Sequence, residues 1–102
     1  MKYQIVLQWP AASVDDYDSM IAIENSLIEE LPSDGEVDGH DVGSGQVNIF
    51  IRTDGPAKTF EDIRDILRMS DAWADVRVAY RNLEGSEYVV LWPINLKEFA
   101  VI

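Results

Sequence analysis

The sequence contains no cysteine and only one histidine, His40. Without thiols the chain has no disulfide framework, no cysteine nucleophile and no thiolate ligand for a metal. Zinc usually takes three or four converging nitrogen or sulfur ligands, so a single histidine among scattered carboxylates predicts no metal centre. The GxSxG, P-loop, HExxH and GxGxxG patterns are also absent from the sequence, and no cofactor is predicted.

Long hydrophobic runs are missing as well. No apolar stretch approaches the roughly 18 residues of a membrane span, and the first residues do not have the basic-then-apolar layout of a signal peptide. We therefore predict a cytoplasmic protein with no membrane partner. A length of 102 residues, 47% of them hydrophobic, predicts a single globular domain over residues 1–102.

Basic residues are scarce and unevenly placed. The net charge is −11, no lysine or arginine occurs between Tyr3 and Ile51, and ten acids lie in Asp15–Asp41. Affinity for nucleic acid depends on cationic contacts to phosphate, so no nucleic-acid partner is predicted. The acidity favours either simple solubility or recognition of a basic protein.

Apolar periodicity predicts an α+β fold. Strands are predicted at Lys2–Trp9, Glu36–Val42, Gln46–Arg52, Asp75–Asn82 and Tyr88–Trp92. Helices are predicted at about Val14–Leu31, capped by Ser13, and from Pro56 to about Ser70, with Thr59 and Asp62 as a rival start for the second helix. The order βαββαβ with an additional C-terminal strand is typical of a ferredoxin-like antiparallel sheet with strand order 4-1-3-2. Both helices are expected on one face of that sheet, with the fifth strand beside the fourth.

Gly43-Ser44-Gly45 is predicted to be a three-residue hairpin loop with Gly45 in the left-handed conformation. That loop length sets the pairing between the second and third strands. On the polar side of the sheet it pairs Val42 with Gln46, His40 with Asn48, Asp38 with Phe50, and Glu36 with Arg52. Val37, Gly39 and Asp41 then face the buried side.

The run DGHDVGSGQVNIFIRTDGP resembles a stretch in a family of small bacterial proteins of about this length and of uncharacterised function. The resemblance extends to the opening strand, Met1–Pro10, and the helix after it. It implies no activity and no residue roles.

The second sheet face, which the helices leave open, is predicted to collect four of the eight bases. Candidate ligand-face residues are His40, Asn48, Phe50, Arg52, Arg77 and Arg81. The face is either a solvated surface with cross-strand ion pairs or a site for a small anionic ligand or a partner. Phe50 and Val6 suggest that part of it is covered, either by Tyr88–Ile102 or by a second subunit in a homodimer.

Glu24 is the anomaly of the first helix, because it falls within the apolar stripe. A buried carboxylate must be paired, hydrogen-bonded or protonated. The predicted partners are Arg64, Arg68 or a tyrosine hydroxyl. The alternative is that the side chain reaches solvent at the helix edge.

These features favour a small acidic, non-enzymatic protein-binding module, with an immunity or inhibitor protein against a basic partner as the specific hypothesis. Candidate partner-binding residues are Asp15, Asp18, Glu29, Glu36 and Asp38. The alternative is a small-ligand enzyme or sensor that uses the open sheet face around His40, Asn48, Arg52 and Arg77.

Overall fold

A computed structural model of the chain describes residues 1–11 and 17–101. Its elements are β1 (Tyr3–Pro10), α1 (Tyr17–Glu30), β2 (Gly35–Gly43), β3 (Gln46–Thr53), α2 (Pro56–Leu67), a short 3-10 helix (Asp71–Asp75), β4 (Arg77–Asn82) and β5 (Val89–Trp92). The five strands form one antiparallel sheet in the order β2-β3-β1-β4-β5. The predicted α+β class is confirmed. The predicted Ser13 cap lies outside the described residues.

Side chains of the central strand, β1, point alternately to two faces of the sheet that differ in composition. Ile5, Leu7 and Trp9 are buried in the core that both helices supply with apolar side chains. The indole Nε1 of Trp9 donates to the carbonyl of Ala72 at 2.7 Å, which fixes the 3-10 helix against the sheet. We call the opposite side, which carries Gln4, Val6 and Gln8, the second face.

The second helix begins at Pro56, as predicted, since proline suits a position whose N–H has no partner within the helix. The Thr53 and Thr59 hydroxyls lie 2.7 Å apart, both fully buried, where this helix meets the end of β3. Thr53 Oγ1 also accepts from the Gly55 amide at 3.0 Å. The hydroxyl pair therefore holds the turn and the first part of α2 to the sheet.

The hairpin between β2 and β3 corrects a prediction. Gly43 pairs with Gln46 inside the sheet, and only Ser44 and Gly45 form the turn. Both have positive φ, 54° and 79°, which is the geometry of a type I′ turn. Gly45 is left-handed as predicted, but the loop has two residues rather than three.

Because the loop is one residue shorter, the β2 side chains between the turn and the bulge point to the sheet face opposite to the predicted one. His40 now pairs with Ile49 on the helix side, whereas Asp41 pairs with Asn48 on the second face. The predicted pairings of His40 with Asn48 and of Asp38 with Phe50 are therefore wrong. A β-bulge between Val37 and Gly39 absorbs one residue.

Beyond the bulge the predicted register returns. Glu36 pairs with Arg52 as predicted. Gly39, which follows the bulged Asp38, has a φ of 130°, a conformation that other residues rarely adopt.

The C-terminal segment, residues 93–101, lies across the second face. Gln8 Nε2 donates to the Ala100 carbonyl at 2.9 Å, and the Tyr88 and Phe99 rings pack with centroids 5.0 Å apart. Val6, on the second face, is fully buried. The predicted cover by the C-terminal segment is observed, and the predicted homodimer stays a prediction.

Candidate functional site

An acidic surface wraps around the β2 edge of the sheet. The helix α1 packs beside β2, so the exposed acids of both elements lie at the same edge. Its members are Asp18, Glu29, Glu30, Glu36 and Asp41, all exposed and none in an ion pair with a described residue. We use the term acidic surface for these five residues.

Asp38, predicted to belong to this surface, is instead held in an ion pair. Its Oδ2 accepts from Arg52 Nε at 3.1 Å. Asp18, Glu29 and Glu36 occupy exposed positions as the hypothesis requires. Asp15 lies outside the described residues.

Lys58 neutralises two further acids next to this edge. Its Nζ lies 3.0 Å from Asp34 and 2.9 Å from Asp62. The hydrogen bond from Lys58 lowers the pKa of the Asp34 carboxyl, and the hydrogen bonds to Asp62 and Asp34 raise the pKa of Lys58. The acidic surface therefore ends where α2 begins.

Glu24 is buried and paired, as predicted, but its partner is His40. Its Oε2 lies 3.0 Å from His40 Nδ1, and the side chains are 11% and 27% exposed. Arg64, one of the predicted partners, stacks over the Phe60 ring instead. The one-residue change in register brings His40 to the helix side and so removes it from the predicted ligand face.

A row of polar side chains crosses the second face near one end of the sheet. Asn48 in β3 pairs with Gln8 in β1, and Gln8 pairs with Arg77 in β4. Gln8 and Asn48 are 3% and 1% exposed. Gln8 Nε2 lies 3.1 Å from Asn48 Oδ1 and 3.1 Å from Gln46 Oε1, in addition to its bond to Ala100.

An open cavity of about 680 Å³ lies above this row. We call it the second-face cavity. Its lining includes Gln8, Gln46 and Arg77 from the sheet, Tyr88 from the segment before β5, and Lys97 and Phe99 from the C-terminal segment. The sequence predicts Arg77 on this face from strand alternation, whereas Lys97 and Phe99 lie in a stretch without periodicity.

The other predicted ligand-face residues are occupied elsewhere. Arg81 donates through Nη1 to the carbonyls of Asn82, Leu83 and Gly85 and so holds the turn after β4. Arg52 pairs with Asp38, and Phe50 is half-buried on the second face. Among the predicted residues only Arg77 lines the cavity, with Asn48 in the polar row beneath it.

Comparison with protein-family models, with curated proteins and with solved structures found no significant match. The resemblance of the hairpin sequence to a bacterial family therefore stays a prediction. In the described part of the chain, no helix is both long enough and apolar enough to cross a bilayer.

Proposed function

We propose that this chain is a small, non-enzymatic, ferredoxin-like binding module whose partner is a basic protein, as in immunity or inhibitor proteins. The strand order, read from the opposite edge as β5-β4-β1-β3-β2, supports the ferredoxin-like arrangement. The function rests on the acidic surface.

The observation that carries the proposal is the gathering of unpaired acids at one edge. Asp18, Glu29 and Glu30 on α1 lie beside Glu36 and Asp41 on β2, and no lysine or arginine occurs in either element. Neighbouring acids outside this group, such as Asp34 and Asp38, are neutralised by ion pairs. Ion pairs therefore neutralise Asp34 and Asp38, whereas the five carboxylates of the acidic surface stay available to another molecule.

Such a surface acts mainly on the rate of encounter. Complementary charge steers a basic partner towards the edge and repels acidic proteins, and salt weakens both effects. The charges on β2 also protect an exposed strand edge from pairing with other chains. Edge protection alone explains the acids of β2 but not those on α1.

The experiment compares two charge-reversal variants with the same change in net charge. Glu29→Lys with Asp41→Lys alters the acidic surface. Glu61→Lys with Glu84→Lys alters exposed acids on α2 and in the turn after β4. Each basic protein that proves to be encoded beside this gene is purified, and its rates of association and dissociation are measured with the wild type and both variants.

The proposal expects a partner whose association slows at least about tenfold with the first variant, and far less with the second. The wild-type association rate should also fall several-fold between low and physiological salt. If both variants slow association equally, net charge rather than this surface governs binding. If none of the basic neighbours binds, the proposed function is wrong.

A further inference from the structure

The second-face cavity combines features that the proposed function does not use. Its volume of about 680 Å³ lies within the usual range for small-ligand sites, roughly 300–1,000 Å³. The sheet supplies its floor and the C-terminal segment one wall. None of its lining residues belongs to the acidic surface.

The polar network at the cavity floor is incomplete. Gln8 Nε2 has only two hydrogens, yet three acceptors lie within 3.1 Å of it. Asn48 Nδ2 is buried and has no hydrogen-bond partner among the described residues. Buried polar groups are nearly always satisfied in folded proteins, so Asn48 Nδ2 is a donor that the described residues leave unsatisfied beneath the cavity.

Two cations, Arg77 and Lys97, border the cavity. Arg77 and Lys97 form no ion pair with any described residue. Arg77 pairs with Gln8 across β1 and β4, which places its guanidinium next to the incomplete amide cluster. A guanidinium is well suited to a planar anion, which can accept two parallel hydrogen bonds from it.

Two glutamates narrow the class of anion. Glu87 and Glu98 also line the cavity, so the net charge of its four charged residues, which include Arg77 and Lys97, is zero. A phosphate carries about −1.5 to −2 at neutral pH and would be repelled by both glutamates. A carboxylate carries a single negative charge and meets less repulsion.

The remaining wall is aromatic. The Tyr88 and Phe99 rings pack against each other, with centroids 5.0 Å apart, and both border the cavity. Such a wall accommodates an apolar or aromatic group by burial and ring packing. The ligand therefore needs an anionic end at Arg77 and an apolar end at the two rings.

We propose that the second-face cavity binds a small organic carboxylate with an apolar or aromatic body. Its carboxylate pairs with the Arg77 guanidinium, and its body lies against Tyr88 and Phe99. Lys97 adds attraction at the rim. Bound ligand bridges the sheet and the C-terminal segment.

The test is an NMR titration of the full chain with three probes: 3-phenylpropionate, the neutral alcohol 3-phenylpropan-1-ol, and inorganic phosphate. We expect 3-phenylpropionate to cause saturable shifts in the side-chain amide signals of Gln8 and Gln46 and in the signals of Tyr88 and Phe99. The alcohol, which matches the acid in size, should bind at least about tenfold more weakly, and so should phosphate.

Two arginine variants localise the effect. Arg77→Ala should weaken binding of 3-phenylpropionate at least about tenfold. Arg68→Ala removes an exposed arginine from the far side of the sheet and should change affinity less than about twofold. The backbone spectrum of each variant verifies that it is folded.

Three results would overturn the proposal. The first is the absence of saturable shifts with 3-phenylpropionate. The second is equal affinity in Arg77→Ala and the wild type, which would place the carboxylate elsewhere. The third is phosphate binding as tightly as the carboxylate. None of these results bears on association with a basic protein, so the two proposals fail separately.

Discussion

The pair formed by Glu24 and His40 gives the sharpest test of how this fold is held together. It joins α1 to β2 through a contact of 3.0 Å between Glu24 Oε2 and His40 Nδ1. His40→Ala would leave the Glu24 carboxylate, 11% exposed, without this partner in an apolar environment. We therefore expect a substantial loss in the free energy of unfolding.

The magnitude follows from the exposure of the two groups. Leaving a buried polar group without its hydrogen-bond partner costs about 1–3 kcal/mol, and more when that group is charged. Here the histidine side chain is 27% exposed, so water can partly solvate the stranded carboxylate. We expect about 2–3 kcal/mol for His40→Ala, and about 1 kcal/mol for Glu24→Gln, whose amide oxygen still accepts a hydrogen bond.

The assay is urea denaturation at neutral pH followed by tryptophan fluorescence, since the chain has three tryptophans. A double-mutant cycle of Glu24→Gln and His40→Ala should give a coupling energy of about 1 kcal/mol or more. Asp41→Ala, at an exposed position next to His40, is the control and should change stability by less than about 0.5 kcal/mol. A His40→Ala effect as small as the control's, with no coupling, would refute this account of the pair.

Three other predictions concern local contacts. Ser44→Asn should raise the free energy of unfolding by about 0.5 kcal/mol in urea denaturation, because Ser44 has a φ of 54° and asparagine tolerates that conformation better. Thr59→Val should lower the free energy of unfolding by about 1–2 kcal/mol, because the buried Thr53 hydroxyl loses the Thr59 hydroxyl 2.7 Å away. The control, Ser70→Ala, removes the hydrogen bond that the Ala72 amide donates to the Ser70 side chain and should lower it by about 1 kcal/mol or less. Lys58→Met should raise the pKa of Asp34 towards its ordinary value in a carbon-detected NMR titration. The folded-state pKa of Asp34 is lower than its ordinary value, so the stability that this ion pair adds is fully present above the ordinary aspartate pKa. That stability is lost as the pH falls through the folded-state pKa. An Asp34 titration that is unchanged in Lys58→Met would exclude the ion pair.

The sequence predicts the parts of the fold that rest on strict alternation. Ile5, Leu7 and Trp9 on β1, and Val47, Ile49 and Ile51 on β3, face the helices as their spacing requires. Apolar stripes predict both helices, and the predicted start of the first helix, Val14, lies outside the described residues. Strand β5 begins at Val89, one residue after its predicted start.

Two errors about the candidate site share one origin. The turn was predicted to use Gly43, but Ser44 takes a left-handed conformation that a side chain usually avoids, so the loop has two residues. That change moved His40 to the helix side. The same error explains why His40 was not predicted as the partner of Glu24, because a side chain on the opposite face of the sheet would not reach that carboxylate.

The second-face cavity was predictable only in part. Alternation places Gln8, Asn48 and Arg77 together on this face, and the apolar Val6 indicated that something covers it. The segment after Trp92 has no periodic pattern that could place Lys97 and Phe99. Irregular backbone is held by individual contacts such as the bond from Gln8 to Ala100, and single contacts leave little signal in a sequence.

The separation of the two proposed sites leads to one further expectation. Asp41 lies on β2 and Arg77 on β4, with β3 and β1 between them. Three strand spacings of about 4.8 Å separate their backbones by about 14 Å, which exceeds the Debye length of about 8 Å at physiological salt. Charge reversal at Glu29 and Asp41 should therefore leave the affinity for 3-phenylpropionate within about twofold of the wild type.

The reciprocal measurement tests whether a change in the second-face cavity affects the acidic surface. Arg77→Ala should leave association with a basic partner nearly unchanged, because a removed cation at this distance is screened from the acidic surface. If either variant alters the other site strongly at physiological salt, simple screening cannot explain it, and a structural connection through β1 and β3 would be required. Repeating both measurements at low salt separates these explanations, since only the electrostatic effect grows as screening weakens.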